Sequence, residues 1–169
     1  METLETSRLI IDKITITDAP FVLAMLNDDN FISYVADRGV RTIEQAQTYI
    51  SNRIAASYKE HGFGMAAVRL KGSGETIGMC GLVKRDSLPD IDLGYGFLPA
   101  GRGQGYAYEA VVAVMAWGKK ELALPRLAAI IHPKNTASRN LAAKIGMSFD
   151  SMIRLTPDDD EICLYLWSA

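Results

Sequence analysis

Apolar residues recur along this chain in two rhythms, one of two residues and one of three to four. The blocks they form are bounded by glycines, prolines and short polar runs. Arg8 to Ile14 has the strand period, with Leu9, Ile11 and Ile14 turned inward. Asp18 to Asn27 reads as a helix, with Thr17 as its N-cap and Pro20 tolerated in the first turn. A short second helical piece runs on to Val35. Thr42 and Gln45 match a capping box and start a helix to about Glu60, with Ala46, Tyr49, Ile50 and Ile54 on its apolar side; His61-Gly62 ends it. Gly64 to Leu70 and Glu75 to Lys84 read as strands joined at Lys71 to Gly74. After the loop Asp86 to Asp90, a strand places Leu93, Tyr95 and Phe97 on one face, and Pro99 stops it. Ala107 to Leu122 is helical, Leu127 to Ile131 a buried strand, and Lys134 to Ile145 a short helix closed by Gly146. Ser148 to Leu155 and Glu161 to Trp167 form a last strand pair around the Pro157 to Asp160 turn.

This order predicts one domain, an α/β layer of about seven strands with about four helices packed on the sheet. The chemistry concentrates between Asp92 and Glu109, where a strand runs through a glycine-rich loop into a helix. The first N–H groups of a helix lack intrahelical partners and, with the helix dipole, attract anions. Gly101, Gly103 and Gly105 let backbone N–H groups come close to a phosphate, and Arg102 adds a charged fork. The loop therefore reads as a diphosphate cradle; the alternative is a flexible connection with no ligand. Neither Gly-x-Gly-x-x-Gly nor a P-loop ending Gly-Lys-Ser/Thr is present.

Arg102-Gly103-Gln104-Gly105-Tyr106-Ala107 resembles the Arg/Gln-x-x-Gly-x-Gly/Ala signature with which the GNAT N-acetyltransferase superfamily binds the pyrophosphate of acetyl-CoA. Leu93-Gly94-Tyr95-Gly96-Phe97 looks like the strand that holds the pantetheine arm in its RimJ/RimL-like branch, and Glu5 to Leu9 resembles that branch's opening phrase. A second stretch, Asn135-Thr136-Ala137-Ser138 with Gly146-Met147, is similar to the superfamily's Asn-x-x-Ser…Gly-Phe motif. The resemblance covers nearly the whole chain. It implies a GNAT fold, with a mostly antiparallel twisted sheet whose strands splay at the acetyl-CoA site. It also implies acetyl-CoA as cosubstrate and an amine acceptor, either a protein N-terminus or a small molecule. Tyr95, Phe97, Arg102, Gly103, Gln104, Gly105, Tyr106, Ala107 and Asn135 would bind the cofactor. A backbone N–H of Phe97 or Tyr95 would hold the thioester carbonyl, and Ser138 would lie by the sulfur. Asn135 offers an amide-rich ligand both a donor and an acceptor, but it also suits a helix cap. One departure stands out: many relatives carry a tyrosine, thought to protonate the thiolate, where this chain has Ala142.

An ammonium must lose a proton before it can attack. Asp92, just ahead of the pantetheine strand, is the first candidate for the carboxylate that takes it, with Asp90 the alternate. Composition narrows the remainder. A net charge of −2 disfavours general nucleic-acid binding. Cys80 and Cys163 lie in apolar runs and read as buried thiols of a cytoplasmic protein. No metal-ligand spacing, signal-peptide core or membrane-length apolar run occurs, so neither a metal nor a membrane is expected. A homodimer is expected by family analogy alone. His132, His61, Trp117 and Trp167 read as structural, and Tyr106 and Tyr108 as packing around the cofactor or the core. The acidic tract Asp158 to Glu161 reads as a solvated turn, or as a lure for a cationic acceptor. A non-catalytic acyl-CoA-binding module is the rival reading that Ala142 keeps open.

Overall fold

In the computed structural model, which describes residues 2–169, the strands form a single sheet in the order β1-β2-β3-β4-β5-β6-β8-β7. These are β1 Leu4–Glu5, β2 Leu9–Lys13, β3 Met65–Leu70, β4 Thr76–Val83, β5 Asp92–Phe97, β6 Arg126–Ile131, β7 Ser148–Ile153 and β8 Ile162–Ser168. The helices are α1 Ala19–Leu26, α2 Asp29–Tyr34, α3 Ile43–Tyr49, α4 Ala56–His61, α5 Tyr106–Glu121 and α6 Thr136–Lys144. The strand beyond the expected seven is β1, a two-residue piece against β2 that is too short to carry a period.

β3 and β4 read as nearly continuous apolar runs because both faces of the sheet are covered. On one face Leu9, Ile11, Val68 and Leu82 pack against Val111 and Val114 of α5. On the other, Ala67 and Met79 meet Val22, Met25, Phe31 and Ile50 from the first helices. The β3–β4 contact needs a glycine at Gly81, since a Cβ there would sit 2.2 Å from the Gly64 carbonyl oxygen.

The expected helix from Thr42 to about Glu60 is capped as read: Thr42 accepts from the Gln45 N–H and the Gln45 side chain returns the bond. It is not uniformly α. Ile50–Ala55 is a π-helical segment between α3 and α4, and the looser winding keeps Ile50 and Ile54 in the core. Thr17 is not the cap of α1. A 3₁₀ turn, Ile16–Asp18, comes first; Thr15 caps it and Asp18 occupies the N-cap of α1. Asp18 also accepts from Arg69 of β3, which binds Asp12 of β2 as well. Burial alone would raise the Asp18 pKa, but Arg69 and Thr15 outweigh it and hold it below the ordinary value. Cys80 and Cys163 are free and buried. Among the described residues no helix is long and apolar enough to cross a membrane.

The N-terminal segment clasps the start of α5. Glu109 accepts from the Thr6 hydroxyl at 2.6 Å, the Ser7 hydroxyl at 3.2 Å, the Arg8 N–H at 2.9 Å and Arg8 Nε at 2.7 Å. Partial burial opposes ionisation, but these donors win and bring the Glu109 pKa down to about 2. A depressed pKa adds stability above the unfolded value, and that stability is lost as pH falls from about 4.5 through about 2. Solvent screening at this rim limits the clasp to about 1 kcal/mol, so Glu109→Gln lowers the melting temperature by ~2–4 °C at neutral pH. Thermal melts of both proteins should converge near the acid end of that window.

Candidate active site

The sheet is antiparallel except between β5 and β6, and there it barely holds. The parallel ladder consists of one pair, Asp92 with Ala128, next to the Ala128 N–H bonded to the Ile91 carbonyl at 2.9 Å. Beyond Asp92 the two strands part. β6 keeps its full register with β8, from Arg126 to Ile131, and β5 keeps its own with β4. Backbone groups alternate in direction along a strand. Since the Ile91 carbonyl faces β6 and the Leu98 N–H bonds Ile77 on the β4 side, the N–H groups of Tyr95 and Phe97, past the last ladder pair, face the gap. Backbone polar groups at such a gap call for partners. This is the splay that the resemblance implied.

A cavity of about 790 Å³ opens at the splay. Its walls come from both sides of the sheet: Phe31, Tyr49 and Met65 on one, Val111, Leu141 and Ala142 on the other. Of the residues singled out in the sequence, Asp92, Tyr95, Asn135 and Ser138 line it together. Phe97 does not; its side chain is in the core beside α5. Arg102 to Ala107 lie outside the cavity lining, on the loop that follows β5 and the first turn of α5.

Asp92 is 1% exposed. Its Oδ2 accepts from Arg85 Nε at 2.8 Å, and its Oδ1 is buried without a well-formed hydrogen bond. Burial pushes its pKa up, while Arg85 and, more weakly, the Ile130 backbone N–H oppose this. The alternate base, Asp90, precedes β5, is absent from the cavity lining and binds Arg126 at 2.7 Å. The two carboxylates, first candidate and alternate in the sequence, therefore differ in environment: Asp92 lines the cavity and Asp90 does not. Asn135 caps α6, its Oδ1 accepting from the Ser138 N–H at 3.2 Å, which leaves its amide NH₂ directed elsewhere. The Tyr95 hydroxyl donates to Ser138 Oγ at 2.8 Å. His132 also lines the cavity, its Nδ1 accepting from the Lys134 N–H at 3.1 Å.

The glycine loop has the conformation its sequence calls for. Gly103 and Gly105 have φ of +73° and +81°, which side chains disfavour, and Gly105 is the N-cap of the 16-residue α5. Arg102 lends one guanidinium nitrogen to Asp28, which caps α2 by accepting from the Asn30 and Phe31 N–H groups. Its other nitrogens have no partner among the described residues. Gln104 donates to the Ala100 carbonyl, and Arg8 both accompanies the loop at the Gln104 carbonyl and stacks over the Tyr106 ring. Tyr108, expected to pack around the cofactor or the core, is not in the core: it is 39% exposed with Lys144 over its ring, because it falls on the outer side of α5. Sequence reasoning missed Arg85 and Asp28. The hairpin joining β4 to β5 was a signal for the first; nothing in the sequence links Asp28 to Arg102.

The profile of the acetyltransferase (GNAT) domain family matches residues 8–148. An uncharacterized N-acetyltransferase of Bacillus subtilis, YoaA, is 30% identical over 154 residues, covering 89% of this chain and 85% of that protein. A crystallised acetyltransferase of Agrobacterium tumefaciens superposes with a TM-score of 0.84 at 25% identity, over 100% of this chain and 95% of that one. A ribosomal-protein α-N-acetyltransferase, RimL, solved with coenzyme A, shares the fold with a TM-score of 0.83 at 14% identity, over 99% and 98% of the two chains. Fold and relatives together define the class, an acyltransferase that moves acetyl groups. The chain belongs to the GNAT acetyltransferase family, whose members use acetyl-CoA.

Removing Arg85 would strand a buried carboxylate. Arg85→Ala is expected to lower unfolding stability at neutral pH by about 3 kcal/mol, and adding Asp92→Asn should restore most of it. Urea denaturation of the two single variants and the double variant measures both effects.

Proposed function

We propose that this protein transfers the acetyl group of acetyl-CoA to a primary amine, with the cavity at the β5–β6 splay as the reaction chamber. The observation that carries this reading is Asp92, a nearly inaccessible carboxylate in the lining of a cavity that opens between two parted strands. The residues suit the cosubstrate. The loop from Gly103 to Gly105 and the N-terminus of α5 offer backbone N–H groups to a pyrophosphate, and the uncommitted nitrogens of Arg102 add charge. The amide NH₂ of Asn135, without a partner among the described residues, suits a pantetheine carbonyl.

When bound, acetyl-CoA supplies an activated acyl group. In this reading the N–H of Tyr95 or Phe97, at the open edge of β5, stabilises the oxyanion that develops on its carbonyl, an effect worth roughly 3–4 kcal/mol for a preorganised donor. Asp92, directly or through water, takes the proton that the attacking amine sheds. Ser138 donates to the departing sulfur. The acceptor enters from the side of α2 and the π-helical segment, where Tyr34, Asn52 and Arg53 line the cavity. A protein N-terminal amine and a small-molecule amine both fit this description.

Calorimetric titration with acetyl-CoA, with ATP and NAD as controls, followed by an amine screen read by free coenzyme A thiol, tests the reading. Selective binding and turnover are expected; binding without turnover on any amine would favour a sensor that Ala142 makes conceivable. Arg102→Ala should weaken acetyl-CoA binding by roughly 1.5–3 kcal/mol. Asp92→Asn should lower kcat and leave that affinity nearly unchanged. A base must be ionised, so activity should fall as pH drops through the Asp92 pKa, which burial places above the ordinary aspartate value. The pH–rate profile of Asp92→Asn should lack that limb.

A further inference from the structure

The contact between Tyr95 and Ser138 joins two elements that do not otherwise need it. Tyr95 stands on β5, Ser138 on the first turns of α6, and their hydroxyls meet at 2.8 Å within the cavity lining. A serine hydroxyl has one proton to give and two lone pairs. The phenol occupies one lone pair. The proton is uncommitted, because among the described residues no acceptor takes it, and the carbonyl one turn back, which a helical serine often uses, does not either. Ala142, one turn further along α6, is buried and carries no polar group that could compete for this position. Burial raises the Tyr95 pKa above the ordinary tyrosine value, against a smaller opposing effect from Ser138, so the phenol stays neutral and keeps donating.

We propose that Tyr95 is a positioning residue whose hydroxyl fixes Ser138 so that the serine O–H points into the cavity and hydrogen-bonds the thioester sulfur as the C–S bond breaks. This rests on the acetyltransferase reading, with Ser138 beside the sulfur. The C–S electron pair passes to sulfur as the C–N bond forms. The nitrogen loses one proton and the thiolate gains one, so the two substrates alone balance the reaction. Ser138 and Tyr95 end in the state in which they began.

The test uses the thiol of coenzyme A itself, titrated against pH while bound, with thiolate ultraviolet absorbance as the signal. A hydrogen bond to the anion lowers the pKa of the bound thiol, by about one unit relative to free coenzyme A for one well-placed donor. Tyr95→Phe should return most of that shift and Ser138→Ala all of it, whereas Ser138→Thr, which keeps a hydroxyl, should retain it. In turnover, Tyr95→Phe should lower kcat by about tenfold with little change in KM for acetyl-CoA, and should cost nothing further in a Ser138→Ala background. Equal losses in both backgrounds, or a bound thiol indifferent to Tyr95→Phe, would overturn the proposal. If the wild-type protein binds coenzyme A and acetylates no amine, the acetyltransferase reading fails, and the thiol titration still decides whether Tyr95 acts through Ser138.

Discussion

The parting of β5 from β6 is the constraint on which the remaining structure depends. A sheet gains from every ladder bond, and this one gives up its parallel ladder after the single pair at Asp92 and Ala128. The strands can separate because each has a complete antiparallel partner on its other side: β4 for β5 and β8 for β6. The sheet thus stays continuous while its middle opens. What the opening exposes is a row of backbone N–H groups at the edge of β5, fixed in direction by the strand and not by a flexible side chain. Groups fixed in this way need no reorganisation when charge develops near them.

Three ionic ties between distant segments hold the surroundings of the gap. Arg85 reaches from beyond β4 to Asp92 at the point where the ladder ends. Arg102 reaches from the glycine loop to Asp28, the cap of α2, and so joins that loop to a helix that lines the cavity. Glu109 gathers Thr6, Ser7 and Arg8 onto the first turn of α5. The ties at Glu109 and Arg102 are partly solvated and contribute little bulk stability. Their value lies in placement, because each ties one wall of the site to a segment from elsewhere in the chain.

Helices cover the two faces of the sheet unequally, and the cavity takes walls from both. α5 and α6 provide the glycine-loop side, with long regular turns and a capped start at Asn135. The short helices α1 to α4 provide the other side, and there the regular geometry breaks into a π-helical segment whose Asn52 and Arg53 line the cavity. Such segments place side chains that an α-helix would carry past the opening.

The element order, the capping box at Thr42, the stop at Pro99 and the closing glycine at Gly146 were legible in the sequence, because each is a local matter of period, cap or turn. So was the family, whose motifs lie within short stretches. The N-cap at Thr17 was misread where neighbouring structure overrode a local rule, a 3₁₀ turn that moves the cap to Asp18. What no local pattern could supply was decided by tertiary structure. It buried Asp92 against Arg85 and tied Asp90 to Arg126. It brought Tyr95 to Ser138 across 43 positions, and Arg102 to Asp28 across 74. The physical reason is the same in each case. Periodicity fixes which face a side chain occupies, but burial and partners, which set its chemistry, come from elements that meet only when the sheet is assembled.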